Sequence, residues 1–295
     1  MNANEFLNEV LNSNIGPDDF AETYNTFQFY QNEALKTLKE LHRVCEKNSI
    51  PYQLAFGSLL GIIRDGGQIP WDYDIDVIIP YTSKNDLIDA LKKDLDEDFY
   101  FYCPENNEKC RHVMMRLAPK GYKTEALHVD VFYYIGTPIN LEERKKFANE
   151  VKQVSYFHFL KLVKPYEEST GNIRKMLGIY KLKLSSMFTS ISELRNKYDI
   201  LCNKYPINES EICIEADSFA DWYEIPKEYL IETELINTDI GTFRISSNYQ
   251  ELLKIWYKDY LSIPPIEKRI DEVISNTGRL VYFDKNNKIT KCDKK

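Results

Sequence analysis

The sequence predicts an α/β or α+β fold that also carries a separate helical stretch. Three observations predict it. Residues 50–136 alternate short apolar runs of strand character with short helices. Phe20 to Lys47 repeats apolar residues at spacings of three and four. Residues 141–188 return to a helical pattern and are basic, with ten Lys or Arg against five Glu.

The elements follow in order. Phe27, Tyr30, Ala34, Leu38, Leu41 and Val44 form the apolar stripe of the first long helix, which Ser49-Ile50-Pro51 ends. Tyr52 to Phe56 reads as a short strand. Gly57-Ser58 opens a helix over Leu59 to Arg64, stopped by Asp65-Gly66-Gly67. Ile69-Pro70-Trp71 leads into a strand from Asp72 to Ile79. Tyr81 to Asp94 reads as an amphipathic helix with Ser83 at its N-cap. Phe99 to Tyr102, Arg111 to Ala118 and Leu127 to Ile135 read as three further strands. The chain then divides into an N-terminal helical segment (1–48), a core (49–140), a basic helical elaboration (141–205), a C-terminal segment packed on the core (206–283) and a flexible tail (284–295). Residues 209–239 reverse the charge of the elaboration, with ten acidic residues and one Lys.

Composition narrows the function. The chain has 295 residues, 43% hydrophobic and 28% charged, which suits a folded protein rather than a disordered one. Net charge is −8, so a general nucleic-acid binder, which needs a basic face, is disfavoured. No run of 18 apolar residues suggests a membrane span, and Met1 to Pro17 lacks the pattern of a secretion signal. Six cysteines without a CxxC pair read as reduced thiols of a cytoplasmic protein. Cys103, Cys110 and His112 are too few and too widely spaced for a structural zinc site.

The chemistry lies in Gly57 to Asp76. Strand side chains alternate faces, so Asp72, Asp74 and Asp76 share one face and Trp71, Tyr73, Ile75 and Val77 the other. Neighbouring carboxylates on that face are roughly 7 Å apart. Asp is disfavoured in strands, and three on one face repel and raise each other's pKa unless a cation sits among them. Mg²⁺, a hard ion that takes oxygen ligands, is the natural occupant, with Mn²⁺ as a substitute. An EF-hand starting at Asp72 is excluded, because its sixth position is Val77 and its twelfth is Ser83. A merely polar strand face is the plain alternative. Asp130, alone in the apolar run Val129-Asp130-Val131-Phe132, joins the same centre if its strand lies beside the first. Gly57 and Ser58, at the start of a helix, suit a phosphate. Arg64 and Arg116 are candidates to pair phosphate oxygens, and Trp71 to stack on a base or shape the pocket.

Phe56-Gly57-Ser58, Asp74-Ile75-Asp76 and Val129-Asp130-Val131 together resemble the nucleotidyltransferase superfamily of the DNA polymerase β type. Within it, Gly57-Ser58-Leu59-Leu60-Gly61-Ile62-Ile63-Arg64 followed by Ile69-Pro70-Trp71-Asp72-Tyr73-Asp74-Ile75-Asp76 is similar to the LicD family, which includes the fukutin-related proteins. Phe243-Arg244-Ile245 through Pro264-Pro265 resembles that family's terminal segment. Where the family commonly has Tyr-Gly-Asp, this chain has Tyr257-Lys258-Asp259.

The resemblance implies an α+β fold with a nucleotidyltransferase-type mixed sheet flanked by helices and a helical insertion. It also implies an enzyme: a Mg²⁺-dependent phosphotransferase that moves phosphocholine, a pentitol phosphate or a similar group from a CDP-linked donor to a sugar hydroxyl. The acceptor would be a lipopolysaccharide, teichoic acid or capsule glycan, free or lipid-linked, and CMP would leave. In this expectation Asp74, Asp76 and Asp130 are catalytic, the same three with Asp72 hold metal, and Gly57, Ser58, Arg64, Trp71 and Arg116 hold the nucleotide or phosphate. The setting is the cytoplasm, at the inner face of the membrane. Two alternatives are a true nucleotidyltransferase that releases pyrophosphate and a catalytically idle glycan-binding or partner protein.

Overall fold

Two helices open the chain, Ala3–Ser13 (α1) and Phe20–Lys47 (α2). The computed structural model describes residues 1–13, 15–122, 127–166, 172–217 and 223–286. α2 has the predicted span, and its stripe of Phe27, Tyr30, Ala34, Leu38, Leu41 and Val44 is buried. α1 buries Phe6 and Val10 against it.

The sheet carries Gln53–Leu54 (β1), Ile75–Pro80 (β2), Phe99–Tyr102 (β3), Met115–Pro119 (β4) and Val129–Gly136 (β5), in the order β1-β2-β5-β4-β3. Ile212–Glu215 (β6) adds to β5, and Ile225–Pro226 (β7) to β6. β2 and β5 run parallel, and the other pairings of this sheet are antiparallel. The α+β class with a mixed sheet and flanking helices is as expected.

Several boundaries move for physical reasons. The Tyr52–Phe56 strand shrinks to β1, because Phe56 turns into a left-handed conformation (φ 45°) and starts a helix, Phe56–Leu60 (α3). A π-type turn over Gly61–Asp65 follows, closed by Gly66 at φ 76°. Gly61 is required there: a Cβ would lie 2.5 Å from the Gly67 carbonyl oxygen. β2 begins at Ile75 rather than Asp72, because α2 side chains, not a neighbouring strand, hold the preceding residues. Tyr24 Oη donates to the Pro70 carbonyl and Gln31 Nε2 to that of Ile69, each at 3.0 Å. A 3₁₀ turn at Tyr81–Ser83 precedes Lys84–Asp94 (α4), and Ser83 makes no side-chain cap.

Beyond the sheet lie Leu141–Leu162 (α5), Ile173–Ser185 (α6) and Ile191–Cys202 (α7), capped by Asn140, Asn172 and Ser190 side chains. The C-terminal part adds Glu228–Ile231 (α8), the hairpin Thr233–Thr238 (β8) and Gly241–Ser246 (β9), Tyr249–Tyr257 (α9) and Ile266–Asn286 (α10). One core cluster runs from Phe6 to Leu280. α10 runs past the 283/284 boundary drawn from the sequence, and Tyr30 Oη donates to Asp284 at 2.8 Å. The rest of the expected tail, 287–295, lies outside the described residues. The five described cysteines are buried free thiols, and Cys292 also lies outside. Among the described residues, no helix is long and apolar enough to cross a membrane.

At the end of α9, Lys258 takes φ 56° and ψ −85°. The turn therefore keeps a positive φ where the glycine of Tyr-Gly-Asp would supply it without strain. A Cβ in such a conformation costs about 1–2 kcal/mol, partly offset by the greater freedom of Gly in the unfolded chain. Lys258→Gly is expected to stabilise the protein by about 0.5–1 kcal/mol, raising the melting temperature by about 1–3 °C. Thermal denaturation of the two proteins checks this, and an unchanged or lower midpoint contradicts the strain.

Candidate active site

The register of β2 on β5 sets Asp76 directly beside Asp130, and that of β4 on β5 sets Arg116 on the other side of Asp130. Directly opposed residues point to the same face, so Asp76, Asp130 and Arg116 form one row across three strands. Arg116 Nε donates to Asp130 Oδ1 at 2.7 Å, and His128 Nε2 lies 3.4 Å from Oδ2. Burial pushes the Asp130 carboxyl up, but Arg116 and His128 more than offset it and hold it well below the usual carboxylate range.

Asp72 and Asp74 sit on the extended lead-in to β2. Exposure alternates as the sequence requires: Trp71, Tyr73, Ile75 and Val77 are buried, Asp72 and Asp76 are half-buried, and Asp74 is exposed. Burial raises the Asp72 carboxyl well above its ordinary value. The charge of Asp74, a hydrogen bond shared with it, and the charges of Asp76 and Glu272 push the same way. Asp76 is raised by burial, then by Asp74, Asp130 and Glu215, against Arg116. The three thus concentrate negative charge in one place.

The Gly57-Ser58 turn meets these carboxylates directly. A Cβ on Gly57 would come within 2.8 Å of Asp72 Oδ2, so any larger residue there displaces the Asp72 carboxylate. Ser58 Oγ accepts the Asp76 backbone N–H at 2.8 Å and keeps its own proton to donate. Gly57, Ser58, Asp72 and Asp74 line a common pocket. Phe56 packs at 4.5 Å between ring centroids, tilted by 45°, on Trp256 of α9 and meets edge-on Phe132, which shares the Asp130 face of β5.

Residues 49–169 match the family model described as LicD/FKTN/FKRP, nucleotidyltransferase domain. The chain carries a LicD-family domain. It is also 25% identical over 254 residues to the lipopolysaccharide cholinephosphotransferase LicD of Haemophilus influenzae, covering 82% of this chain and 94% of that protein. The enzyme class is accordingly transferase.

All four aspartates, Gly57, Ser58 and Arg116 fall within the LicD-family domain and come together. Arg116 is joined to Asp130, so the phosphate partner and the third acid expected from the sequence are bound to each other. Arg64 and Trp71 hold other positions than expected. The Arg64 guanidinium grips Asp65 through Nε and Nη2 and donates to the Ser262 carbonyl, with its side chain 8% exposed. Trp71 is buried against Phe6, with the Arg64 and Arg269 guanidinium carbons 5.4 and 5.1 Å from its ring centroid. Both residues brace the loop that carries Asp72, and Trp71 has no open face for a base.

Three further groups reach the site from outside the LicD-family match. Glu272 of α10 acts on Asp72. The Tyr257 phenol is pushed up by burial and by the charges of Asp72, Asp76 and Asp74. Glu215 lies opposite Tyr134, on the face of Asp130; it is buried, and among the described residues its Oε1 has no hydrogen-bond partner. An acid ending the apolar run Ile212-Cys213-Ile214 was the available signal for Glu215. For Glu272 none existed.

The donor set suits a hard divalent cation, being all oxygen with excess negative charge. Among the described residues, no three of these side chains already stand as a ready-made ligand set. Asp72, Asp74 and Asp76 fit the ion better than Asp130, whose two oxygens face Arg116 and His128. In chelator, Asp72→Asn and Asp76→Asn are each expected to stabilise the protein by about 1 kcal/mol at pH 7, raising the melting temperature by about 2–4 °C. A raised folded-state pKa means that the wild-type loss grows as pH rises above the unfolded value near 4. The gain should therefore vanish toward pH 4. Calorimetry across that range checks it, and a variant that melts lower at pH 7 refutes the repulsion.

Proposed function

We propose that this protein transfers a phosphorylated small group from a CDP-linked donor to a sugar hydroxyl of a cell-surface glycan, releasing CMP. The observation that carries this reading is the convergence of the Gly57-Ser58 turn with the Asp72, Asp74, Asp76 and Asp130 carboxylates inside a LicD-family domain. The relative's name, which specifies choline phosphate and lipopolysaccharide, supports the choice of group and acceptor.

Phosphoryl transfer asks mainly for positioning and charge neutralisation. Asp74 and Asp76, with Asp72 beside them, would hold Mg²⁺ or Mn²⁺, which when bound neutralises the donor diphosphate and the charge growing on departing CMP. Ser58 offers its hydroxyl proton to a phosphate oxygen. Asp130 receives the proton of the attacking sugar hydroxyl; Arg116 and His128 keep it ionised and fix its direction. The hydroxyl oxygen forms a bond to the distal phosphorus, the bond from that phosphorus to CMP breaks, and CMP leaves as the anion.

A thermal-shift comparison of CDP, CMP, CTP, UDP and ATP, with and without Mg²⁺, tests the reading. Ligand at 100 times its Kd stabilises by about 2.7 kcal/mol. Cytidine diphosphate should shift the wild type only with Mg²⁺ and should not shift Asp74→Ala. Preference for a triphosphate, with pyrophosphate as product, would make the enzyme a nucleotidyltransferase; no shift by any nucleotide would sink both. Two variants test the geometry. Asp130→Asn should lower kcat by about 10²–10⁴-fold. Gly57→Ala, by pushing Asp72 aside, should lower it by about 100-fold while the fold is retained.

A further inference from the structure

α6 turns a row of large apolar side chains outward. Ile173, Leu177, Tyr180 and Leu184 follow the i, i+4, i+7, i+11 spacing of one helical face and are 67%, 59%, 52% and 60% exposed. The row is about 16 Å long at 1.5 Å per residue. The turn after the helix continues it with Met187 and with Phe188, which is 95% exposed. The opposite side of α6 is the one fixed to the protein. Ile179 packs on Phe159, Leu160 and Val163, and Lys183 Nζ donates to the Lys161 and Val163 carbonyls at the end of α5.

Charge separates the same way. Residues 172–188 hold four cations, Arg174, Lys175, Lys181 and Lys183, and no acid, in a chain of net charge −8. Arg174 and Lys181, seven residues apart, lie on one flank of the apolar row. Six outward apolar groups in so short a segment exceed the scattered exposure normal for a water-facing surface.

We propose that α6 and the Met187-Phe188 turn dock this protein on an anionic lipid bilayer. The apolar row enters the boundary between headgroups and acyl chains, and Arg174 and Lys181 on its flank meet lipid phosphates. The acidic remainder of the chain is repelled by the same surface, so the contact also sets the orientation. This docking does not depend on the donor or the reaction.

Flotation of the full-length protein with vesicles tests it. Vesicles of phosphatidylethanolamine with phosphatidylglycerol should carry the protein upward, and vesicles of phosphatidylcholine alone should carry it far less. Raising salt from about 0.1 to 1 M shortens the screening length from about 10 to 3 Å and should weaken the binding. Leu177→Asp with Leu184→Asp should lower the vesicle-bound fraction at least about tenfold. Arg174→Glu with Lys181→Glu should erase the preference for anionic lipid. Both pairs lie on the outer side of α6, so circular dichroism and nucleotide-induced thermal shifts should match the wild type. Equal flotation of wild type and both variants, or none by the wild type, overturns the proposal. So does a concentration-dependent dimer in sedimentation that the Leu variant abolishes without any vesicle binding; the face is then a contact between two copies.

Discussion

Like charges forced into one place are the constraint around which the aspartate face of the sheet is built. At an effective dielectric near 20, each close carboxylate pair costs about 2–4 kcal/mol of repulsion over 4–7 Å. The parallel pairing of β2 with β5 imposes that cost by placing Asp76 against Asp130. Three devices keep the arrangement standing. Arg116 neutralises Asp130 in the same row. Gly57 leaves room for the Asp72 carboxylate, and Ser58 ties the turn to the Asp76 backbone. Tyr24 and Gln31 of α2 hold the loop before β2 by its carbonyls, which fixes the aspartates without lending them a side-chain donor. The last of these explains how residues so costly to bring together are kept ordered outside a regular strand.

The parity of the strand made much of this legible. Alternation placed Asp72, Asp74 and Asp76 on one face, and it holds three residues ahead of β2, because buried Trp71 and Tyr73 impose it through packing rather than pairing. The same parity put Trp71 on the opposite face, where it lies, and that argues against its use as a platform for a base. Arg64 misled for another reason. A guanidinium near a phosphate turn invites a phosphate role, yet the acid adjacent in sequence, Asp65, claims it. Arg116 was legible as a site residue but not as the partner of Asp130, since strand register across 14 residues is not written in composition. α1 and α10 showed no motif at all. The contribution of α10, Glu272 and the Arg269 contact on Trp71, comes from roughly 200 residues away, that of α1 is Phe6 on Trp71, and both exist only in the packed molecule.

Two stretches of opposite charge follow the central strands. The acidic stretch 209–239 supplies β6 and β7, and through β6 it brings Glu215 to the face of Asp76 and Asp130. The basic stretch supplies α5 and α6, whose inner sides close a small second core of Phe159, Leu160 and Val163. The two stretches meet where Arg144 of α5 pairs with Glu224, and Lys152 of α5 offsets the charge of Glu215.

Arg269 of α10 joins the two ends of the chain: it pairs with Glu9 of α1 at 2.7–2.8 Å and lies over the rings of Phe6 and Trp71. A ribosome delivers these pieces in order. The aspartates and Trp71 emerge early, while the guanidinium that completes the clamp emerges almost 200 residues later. A chain stalled or cut before that point displays Asp72, Asp74, Asp76 and Asp130 and lacks the brace beneath the loop. The brace beneath the aspartate loop therefore waits on synthesis through Arg269.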